Sequence, residues 1–253
     1  MTIPARSVVV TGSTGIAAAT ASQLSAEGDA VFIVSLDPVS CNQLADSLGH
    51  GFGWFAANLE EEQEVVDAFT AAEETLGKID AVVAVVGGSA RSQGDGWLHE
   101  MTLDAWDAAL SLNLTSMFLT AREGIRRMRS NGGSLVMTSS VLVTSPQPDN
   151  FTTHGYVAAK AAITGWTKSL ASAYAPDGIR VNTVAPGLVR TSMTRRAEQE
   201  AAITAFARRK QPLTRDLLSA EIIADAMCWF VHSEGVTGQV LSVDGGWEVT
   251  STS

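Results

Sequence analysis

Seven short strand patterns alternate with longer helical patterns along the chain, and this alternation constrains the fold more than any other feature. The segment at residues 81–86 is apolar throughout instead of alternating with polar residues. Such strands are typical of a parallel sheet that helices cover on both faces. The α/β class with a doubly wound sheet follows from this pattern. We predict strands at residues 7–11, 30–34, 51–57, 81–86, 133–139, 180–185 and 240–243.

Helical patterns occupy the segments between these strands. No low-complexity linker, internal repeat or change in composition divides the chain, so we expect a single domain over residues 1–253. The predicted helices cover residues 16–27, 38–48, 60–76, 102–130, 153–175, 193–210 and 219–232.

The charge balance and the cysteine content argue against several classes of function. A formal net charge of −10 and a pI near 4.8 disfavour nucleic acid or an anionic membrane as a partner. Cys41 and Cys228 have neither disulfide-framework nor metal-ligand spacing, so we expect no metal and a reducing compartment. The chain has neither a signal-peptide pattern at its N-terminus nor an apolar run of the ~20 residues that span a membrane. We expect a cytoplasmic protein without a nucleic-acid or membrane partner.

Tyr156 and Lys160 lie four residues apart at the start of a predicted helix. Residues at this spacing share a helix face, which brings a phenol and an ammonium into the same space. A neighbouring cation favours the phenolate and lowers the tyrosine pKa towards the range in which an acid/base catalyst operates. The pair is therefore a candidate proton-transfer device, although an exposed helix can also carry this spacing by accident.

A glycine turn, Gly12-Ser13-Thr14-Gly15, joins the first predicted strand to the first predicted helix. Glycines at this place let backbone N–H groups approach a pyrophosphate at the positive end of the helix. Glycines also serve simple tight turns, so the turn alone is weak evidence for a dinucleotide. Its position directly after the first strand favours the binding role.

Six motifs occur in order and together resemble the short, single-domain branch of the short-chain dehydrogenase/reductase family. The resemblance covers nearly the whole chain. It implies a Rossmann-like, doubly wound α/β fold with a mostly seven-stranded parallel sheet and helices on both faces. It also implies an NAD(P)-dependent oxidoreductase that interconverts a secondary alcohol and a ketone by hydride transfer. The motifs are Thr11-Gly12-Ser13-Thr14-Gly15-Ile16-Ala17, Asn113 in Ser111-Leu112-Asn113-Leu114, Ser139-Ser140, Tyr156-x-x-x-Lys160, Asn182-Thr183-Val184-Ala185-Pro186-Gly187 and Asp244-Gly245-Gly246.

The resemblance implies a catalytic role for four residues. Tyr156 would be the acid/base, while Lys160 would bind the nicotinamide ribose and lower the pKa of Tyr156. Ser140, in preference to Ser139, would hold and polarise the substrate oxygen. Asn113 would support a water relay from Lys160 to solvent.

The resemblance also implies a set of cofactor-binding residues. We expect NAD in preference to NADP, because Asp37 follows the second strand and would repel a 2′-phosphate, and no basic residue lies nearby. The usual acidic position itself corresponds to Ser35. The expected cofactor-binding residues are Gly12, Ser13, Thr14, Gly15, Ile16, Asp37, Asn58, Leu59, Gly87, Tyr156, Lys160, Pro186, Gly187, Val189 and Thr191.

The sequence departs from the family pattern in three places. The glycine turn is one residue shorter than usual, and residues 141–155 form a longer segment that we expect to reshape the substrate pocket. Ala84-Val85-Val86-Gly87 replaces the usual Asn-Asn-Ala-Gly, so we expect packing instead of asparagine hydrogen bonds to hold the sheet there. We further expect a substrate lid at about residues 188–213 and a pocket wall at Trp97.

Two other functions remain open at this point. One is a non-catalytic or regulatory dinucleotide-binding protein on the same fold, and the other is an epimerase or dehydratase with no net use of cofactor. The resemblance also implies a homo-oligomer, either a tetramer or a dimer, and a small-molecule alcohol or ketone as the substrate.

Overall fold

A single sheet of parallel strands forms the centre of the molecule. The computed structural model describes residues 5–49, 52–191, 194 and 199–251. Its strand order is 3-2-1-4-5-6-7 and every pairing is parallel, which confirms the predicted fold class. The strands are β1 (Ser7–Thr11), β2 (Ala30–Ser35), β3 (Gly53–Ala56), β4 (Ala81–Ala84), β5 (Gly133–Thr138), β6 (Ile179–Pro186) and β7 (Val240–Val243).

Helices cover both faces of this sheet. One buried apolar cluster contains residues of α3, α5 and α7, and a second contains residues of α1, α2 and α9. Within the described residues, no helix is both long and apolar enough to cross a membrane. The helices are α1 (Gly15–Ala26), α2 (Pro38–Leu48), α3 (Glu62–Leu76), α4 (Leu103–Leu110), α5 (Ser116–Met128), α6 (Pro148–Phe151), α7 (His154–Tyr174), α8 (Ala201–Lys210) and α9 (Ala220–His232).

The strand order reverses between β1 and β4. The chain passes from β1 outwards to β2 and β3, and then returns to place β4 on the other side of β1. In a doubly wound sheet the carboxyl ends of the two strands at this reversal border a crevice that binds ligands. The glycine turn and the residues after β4 both lie at this edge.

Two predicted helices have different bounds in the structure. The helix expected over residues 102–130 divides into α4 and α5, which are joined by a π-turn at Ser111–Thr115. Such turns insert one extra residue into a helix and frequently occur at functional sites. The helix expected over residues 193–210 is present as α8 from Ala201, and residues 193 and 195–198 lie outside the described part of the chain.

Threonine hydroxyls hold the carboxyl edge of the sheet where the usual asparagines are missing. Thr11 Oγ1 accepts a hydrogen bond from Val85 N at 3.1 Å, and Thr138 Oγ1 donates to Ala84 O at 2.9 Å. Both threonines are buried. Besides the packing expected in place of the asparagine hydrogen bonds, side-chain hydrogen bonds therefore link β1, β4 and β5. The bond to Thr11 also explains why β4 ends two residues before the predicted end at residue 86.

Replacing Thr11 with Val should lower the free energy of unfolding by about 1–3 kcal/mol, because the Val85 N–H loses its acceptor in a buried place. Urea unfolding followed by circular dichroism would measure the change. Thr75→Val is the matched control, since the exposed Thr75 hydroxyl bonds only within α3, to Ala71 O. We expect the control to stay within about 0.5 kcal/mol of the wild type. Equal effects of the two substitutions would contradict the bracing role of Thr11.

Candidate active site

A cavity of about 420 Å³ opens at the carboxyl edge of the sheet. It receives residues from the first turn of α1, from the segments at the ends of β4, β5 and β6, and from the first turns of α7. Nine of the residues expected from the sequence lie in its lining. They are Ile16, Gly87, Ser140, Tyr156, Lys160, Pro186, Gly187, Val189 and Thr191.

The two serines after β5 point in different directions. Ser139 Oγ donates to Lys160 O at 3.0 Å and lies 2.7 Å from Thr164 Oγ1, so its hydroxyl is bound to α7. Ser140 Oγ accepts from Leu142 N at 3.2 Å and also forms a hydrogen bond with the Tyr156 hydroxyl. Ser140 is thus the serine whose hydroxyl meets the phenol.

Tyr156 and Lys160 are both buried, with 8% and 2% of their surfaces exposed. Lys160 Nζ donates to Thr138 O at 3.0 Å and lies 5.7 Å from the centroid of the Tyr156 ring. Burial lowers the pKa of Lys160 to about 8. Burial also raises the pKa of Tyr156, and the hydrogen bond with Ser140 opposes this rise. The direction for Tyr156 is opposite to the one expected from its charged neighbour, because the desolvation of a phenolate is the larger effect here.

Asn113 lies in the π-turn and is completely buried. Its Nδ2 donates to Gly88 O at 2.9 Å and to Ala109 O at 3.0 Å, and its Oδ1 accepts from Gly88 N at 3.0 Å. Both N–H groups of the amide are therefore used to hold backbone. The side chain of Asn113 therefore fastens the segment after β4 to the helix, and its expected role in a water relay stays a prediction.

Gly87 lets the backbone pass close to Asn113 and Lys160. Its φ is +149°, and a Cβ atom built there would lie 2.6 Å from Asn113 Oδ1 and 3.1 Å from Lys160 Nζ. A side chain cannot be accommodated at the first distance. The glycine of the altered Ala-Val-Val-Gly segment thus has a steric reason to be present.

The glycine turn provides a place for a pyrophosphate. Gly12 has a φ of +105°, and a Cβ atom there would lie 2.8 Å from Ala17 Cβ. Thr14 is the N-cap residue of α1 but makes no capping bond, and the first turn of α1 contains no acidic residue. These N–H groups therefore have no side-chain cap that would compete with an anion, as a bound dinucleotide requires.

The glycine turn also contacts the segment after β6. Gly15 has a φ of +55°, and a Cβ atom there would lie 2.9 Å from Thr191 Cγ2. The two expected cofactor-binding residues therefore lie close together, with no space for a side chain on Gly15.

Three serine hydroxyls meet beside the end of β2. Ser13 Oγ lies 3.0 Å from Ser35 Oγ and 2.7 Å from Ser40 Oγ, and Ser40 was not expected from the sequence. Asp37 is the N-cap residue of α2, accepting from Val39 N at 3.2 Å and from Ser40 N at 3.1 Å. The hydrogen bond with the Ser40 side chain has the largest effect on the pKa of the exposed Asp37 carboxyl. Together with the two backbone bonds it holds this pKa below its usual value.

Asn58 and Leu59 follow β3 and are not among the residues that line the cavity. Asn58 Oδ1 accepts from Glu60 N at 3.1 Å, while Asn58 N donates to Glu64 Oε2 at 2.7 Å. Leu59 is buried in the same apolar cluster as α3. Both residues fix the connection between β3 and α3.

Trp247, which the sequence pattern did not identify, lines the cavity together with Phe151 of the long segment at residues 141–155. Trp247 is 1% exposed and packs edge-on against Phe206, with ring centroids 5.3 Å apart, and against Phe151 at 5.9 Å. Its Nε1 donates to Ser145 O at 3.2 Å. Trp97, expected as a wall, is 50% exposed and is not among the lining residues. The signal that could have identified Trp247 is its place directly after Asp244-Gly245-Gly246.

Comparisons with known proteins match the whole of this site. A family profile described as Enoyl-(Acyl carrier protein) reductase matches residues 10–248. Carbonyl reductase family member 4 of Danio rerio is 33% identical over 96% of this chain and 97% of its own length. Cis-4-hydroxycyclohexanecarboxylate dehydrogenase of Sinomonas cyclohexanicum is 34% identical over 96% of both chains. A solved short-chain type dehydrogenase/reductase from Mycobacterium ulcerans superposes with a TM-score of 0.88 at 26% identity, over 97% of this chain and 90% of that one.

Replacing Lys160 with Met should stabilise the fold at neutral pH, because the wild type carries the cost of a buried ammonium. A pKa lowered from 10.5 to about 8 corresponds to roughly 3 kcal/mol at most. Between these two pH values the unfolded chain binds more protons at this lysine than the folded chain does. The wild type therefore gains stability relative to the variant as pH rises from about 8 to 10.5. Urea unfolding of both proteins across this range measures the difference, and a difference independent of pH would contradict the buried charge.

Proposed function

Since the chain belongs to the short-chain dehydrogenase/reductase family and is an NAD(P)-dependent oxidoreductase, we propose that it interconverts a secondary alcohol and its ketone. The observation that carries the proposal is the meeting of Ser140, Tyr156 and Lys160 on one wall of a cavity. A protein that only binds a dinucleotide has no use for a buried lysine beside a buried tyrosine. The non-catalytic alternative is therefore disfavoured.

In this mechanism Tyr156 moves the proton. Its raised pKa keeps the phenol protonated at neutral pH, so it can donate to the carbonyl oxygen of a ketone. In the reverse direction the phenolate accepts the alcohol proton, and this direction gains rate as pH rises. Ser140, already bonded to the phenol, donates to the same substrate oxygen and orients it.

Lys160 acts by its charge and its position. With a pKa of about 8 its ammonium is mostly protonated at neutral pH, and the bond to Thr138 O fixes Nζ beside Gly87. From there it can donate to a ribose hydroxyl of the cofactor. The nicotinamide, when bound, supplies or accepts the hydride.

The glycine turn, with Ser13 and Ser40, would hold the other end of the cofactor, and NAD is the form we propose. The carboxylate of Asp37 lies at the N-terminus of α2, next to the serine hydroxyls that would meet the adenosine ribose. A 2′-phosphate there would face a like charge. Residues 35–40 contain neither Lys nor Arg to offset it.

We also propose that residues 188–213 form a substrate lid within a single domain of residues 1–253. Its described part packs Leu188 and Phe206 against Trp247 and so encloses the cavity.

A homo-oligomer is proposed as well. Phe118 on α5 is 39% exposed and packs on Trp166 of α7, while Val240 and Leu241 of the edge strand β7 are 37% and 39% exposed. Light scattering would distinguish a dimer or tetramer from a monomer.

Tyr156→Phe should lower turnover by about 10²–10⁴-fold, because general acid/base catalysis contributes that much. The measurement is cofactor absorbance during a screen of alcohols, sugars, steroids and 3-oxoacyl thioesters with both nicotinamides. NADH binding, followed by fluorescence, should remain nearly unchanged. Tyr174→Phe is the matched control because Tyr174 ends the same helix away from the cavity. Activity of Tyr156→Phe equal to that of the control would exclude Tyr156 as the acid/base.

The wild type should have a higher kcat/KM with NAD than with NADP, and Asp37→Asn should reduce this ratio. Asparagine caps a helix as well as aspartate does, so the fold is preserved while the charge is removed. Because the Asp37 carboxylate is exposed and screened by solvent, we expect its removal to change the ratio by no more than about five-fold. Steady-state kinetics with both cofactors measures it. A wild type that prefers NADP, or a ratio that Asp37→Asn leaves unchanged, would overturn the assignment.

A further inference from the structure

Helix α7 begins with Tyr156 in its first turn, yet it has no cap from its own sequence. Thr153 is its N-cap residue and makes no side-chain capping bond. The first N–H groups of a helix have no partner within the helix and need an acceptor from elsewhere. At the start of α7 that acceptor comes from another part of the chain.

The acceptor is the carboxylate of Asp95, in the segment between β4 and α4. Asp95 Oδ1 accepts from Gly155 N at 2.9 Å, across 60 positions of the sequence, and Asp95 Oδ2 accepts from Tyr156 N at 2.9 Å. Asp95 is only 4% exposed. Hydrogen bonds from N–H groups to a carboxylate are stronger than those between neutral groups, and a carboxylate at a helix N-terminus also interacts favourably with the helix dipole.

The absence of a side chain at Gly155 provides the space for this contact. A Cβ atom on Gly155 would lie 2.6 Å from Ala109 Cβ and 3.4 Å from Asp95 Oδ1. The missing side chain at Gly155 therefore allows the start of α7 to approach both α4 and Asp95. Asp95 itself is held by its own backbone, since Asp95 N donates to Ala90 O at 3.2 Å.

The segment from Gly88 to Asp95 is fastened at both ends to groups of the active site. Asn113 binds the backbone of Gly88 at one end, and Asp95 binds the backbone of Tyr156 at the other. Between these two points, Ser89, Arg91 and Ser92 line the cavity. One wall of the cavity and the Tyr156 backbone thus share a common support.

We infer that Asp95 is a positioning residue, which sets the place of the Tyr156 phenol relative to Ser140 and to the wall formed by residues 88–95. The inference rests on the proposed function, in which Tyr156 is the acid/base. Loss of the two bonds frees the first turn of α7 and moves the phenol away from Ser140. A displacement of about 1 Å at a reacting group costs roughly 10²-fold in rate.

The test compares Asp95→Ala and Asp95→Asn with Asp80→Asn in the full-length protein. Asp80 is a suitable control because its carboxylate also accepts from a backbone N–H, that of Ser7 at 2.9 Å, at the amino edge of the sheet. The first measurement is amide hydrogen exchange in the peptide of residues 154–160, which needs no substrate. The second is the kcat and KM for the most active ketone of the screen above, with NADH.

We expect Asp95→Ala to speed exchange in this peptide at least ten-fold and to lower kcat at least ten-fold, with the KM for NADH within two-fold of the wild type. Asp95→Asn keeps one acceptor and should recover part of the lost kcat, while Asp80→Asn should change neither quantity. If Asp95→Ala does not fold, Gly155→Ala gives an independent test, because this substitution displaces the same turn while Asp95 remains. We expect Gly155→Ala to show the same faster exchange and lower kcat.

Unchanged exchange at residues 154–160 in the Asp95 variants would overturn the inference, as would equal losses in Asp80→Asn. Faster exchange with an unchanged kcat would also overturn it, since the bonds would then support the helix without positioning the phenol. If the wild type reduces no ketone, the proposed function fails in its own right. The exchange measurement would still decide whether Asp95 holds the start of α7.

Discussion

The hydrogen bonds between the Asn113 amide and the backbone of Gly88 are the interaction on which the active site depends. A completely buried amide must find partners for its donors and its acceptor, and here the partners are Gly88 N, Gly88 O and Ala109 O. They tie the end of β4 to the middle of the α4–α5 rod. Gly87 then has to pass beside Asn113 Oδ1 and Lys160 Nζ, which leaves no space for a side chain. This attachment brings the backbone at Gly87 next to Lys160 Nζ, which Thr138 O holds from the other side.

The same site holds two ionisable groups in an environment that disfavours their charged forms. Burial lowers the pKa of Lys160 and raises the pKa of Tyr156. At neutral pH the buried Lys160 ammonium lowers the stability of the fold, and the apolar clusters on both faces of the sheet offset this loss. Strongly shifted pKa values of this kind cluster at functional sites, which agrees with a catalytic role for the pair.

The seven strands were predictable because each one carries its own apolar pattern. The motifs that located the cavity are likewise short segments that can be read without knowing their partners in the fold. Features that depend on distant partners were not predictable. The π-turn at Ser111–Thr115 exists where Asn113 reaches Gly88, 25 positions away. Trp247 becomes a wall of the cavity through its contacts with Phe151 and Phe206. Asp95 accepts a hydrogen bond from the backbone of Tyr156, which lies 61 positions further along the chain. The direction in which the Tyr156 pKa shifts also depends on burial, and the sequence spacing of Tyr156 and Lys160 does not predict burial.

The contact between Ser145 O and Trp247 Nε1 joins residues 102 positions apart, and it closes the end of the cavity. Together with the Asp95–Tyr156 bonds, it means that the cavity is completed only after β4, α4, α7 and the segment following β7 have all docked. Ligand-binding surfaces that rest on a few loop contacts have lower local stability than the buried strands of a sheet core. On heating, we therefore expect the cavity to open before the parallel sheet beneath it loses its structure.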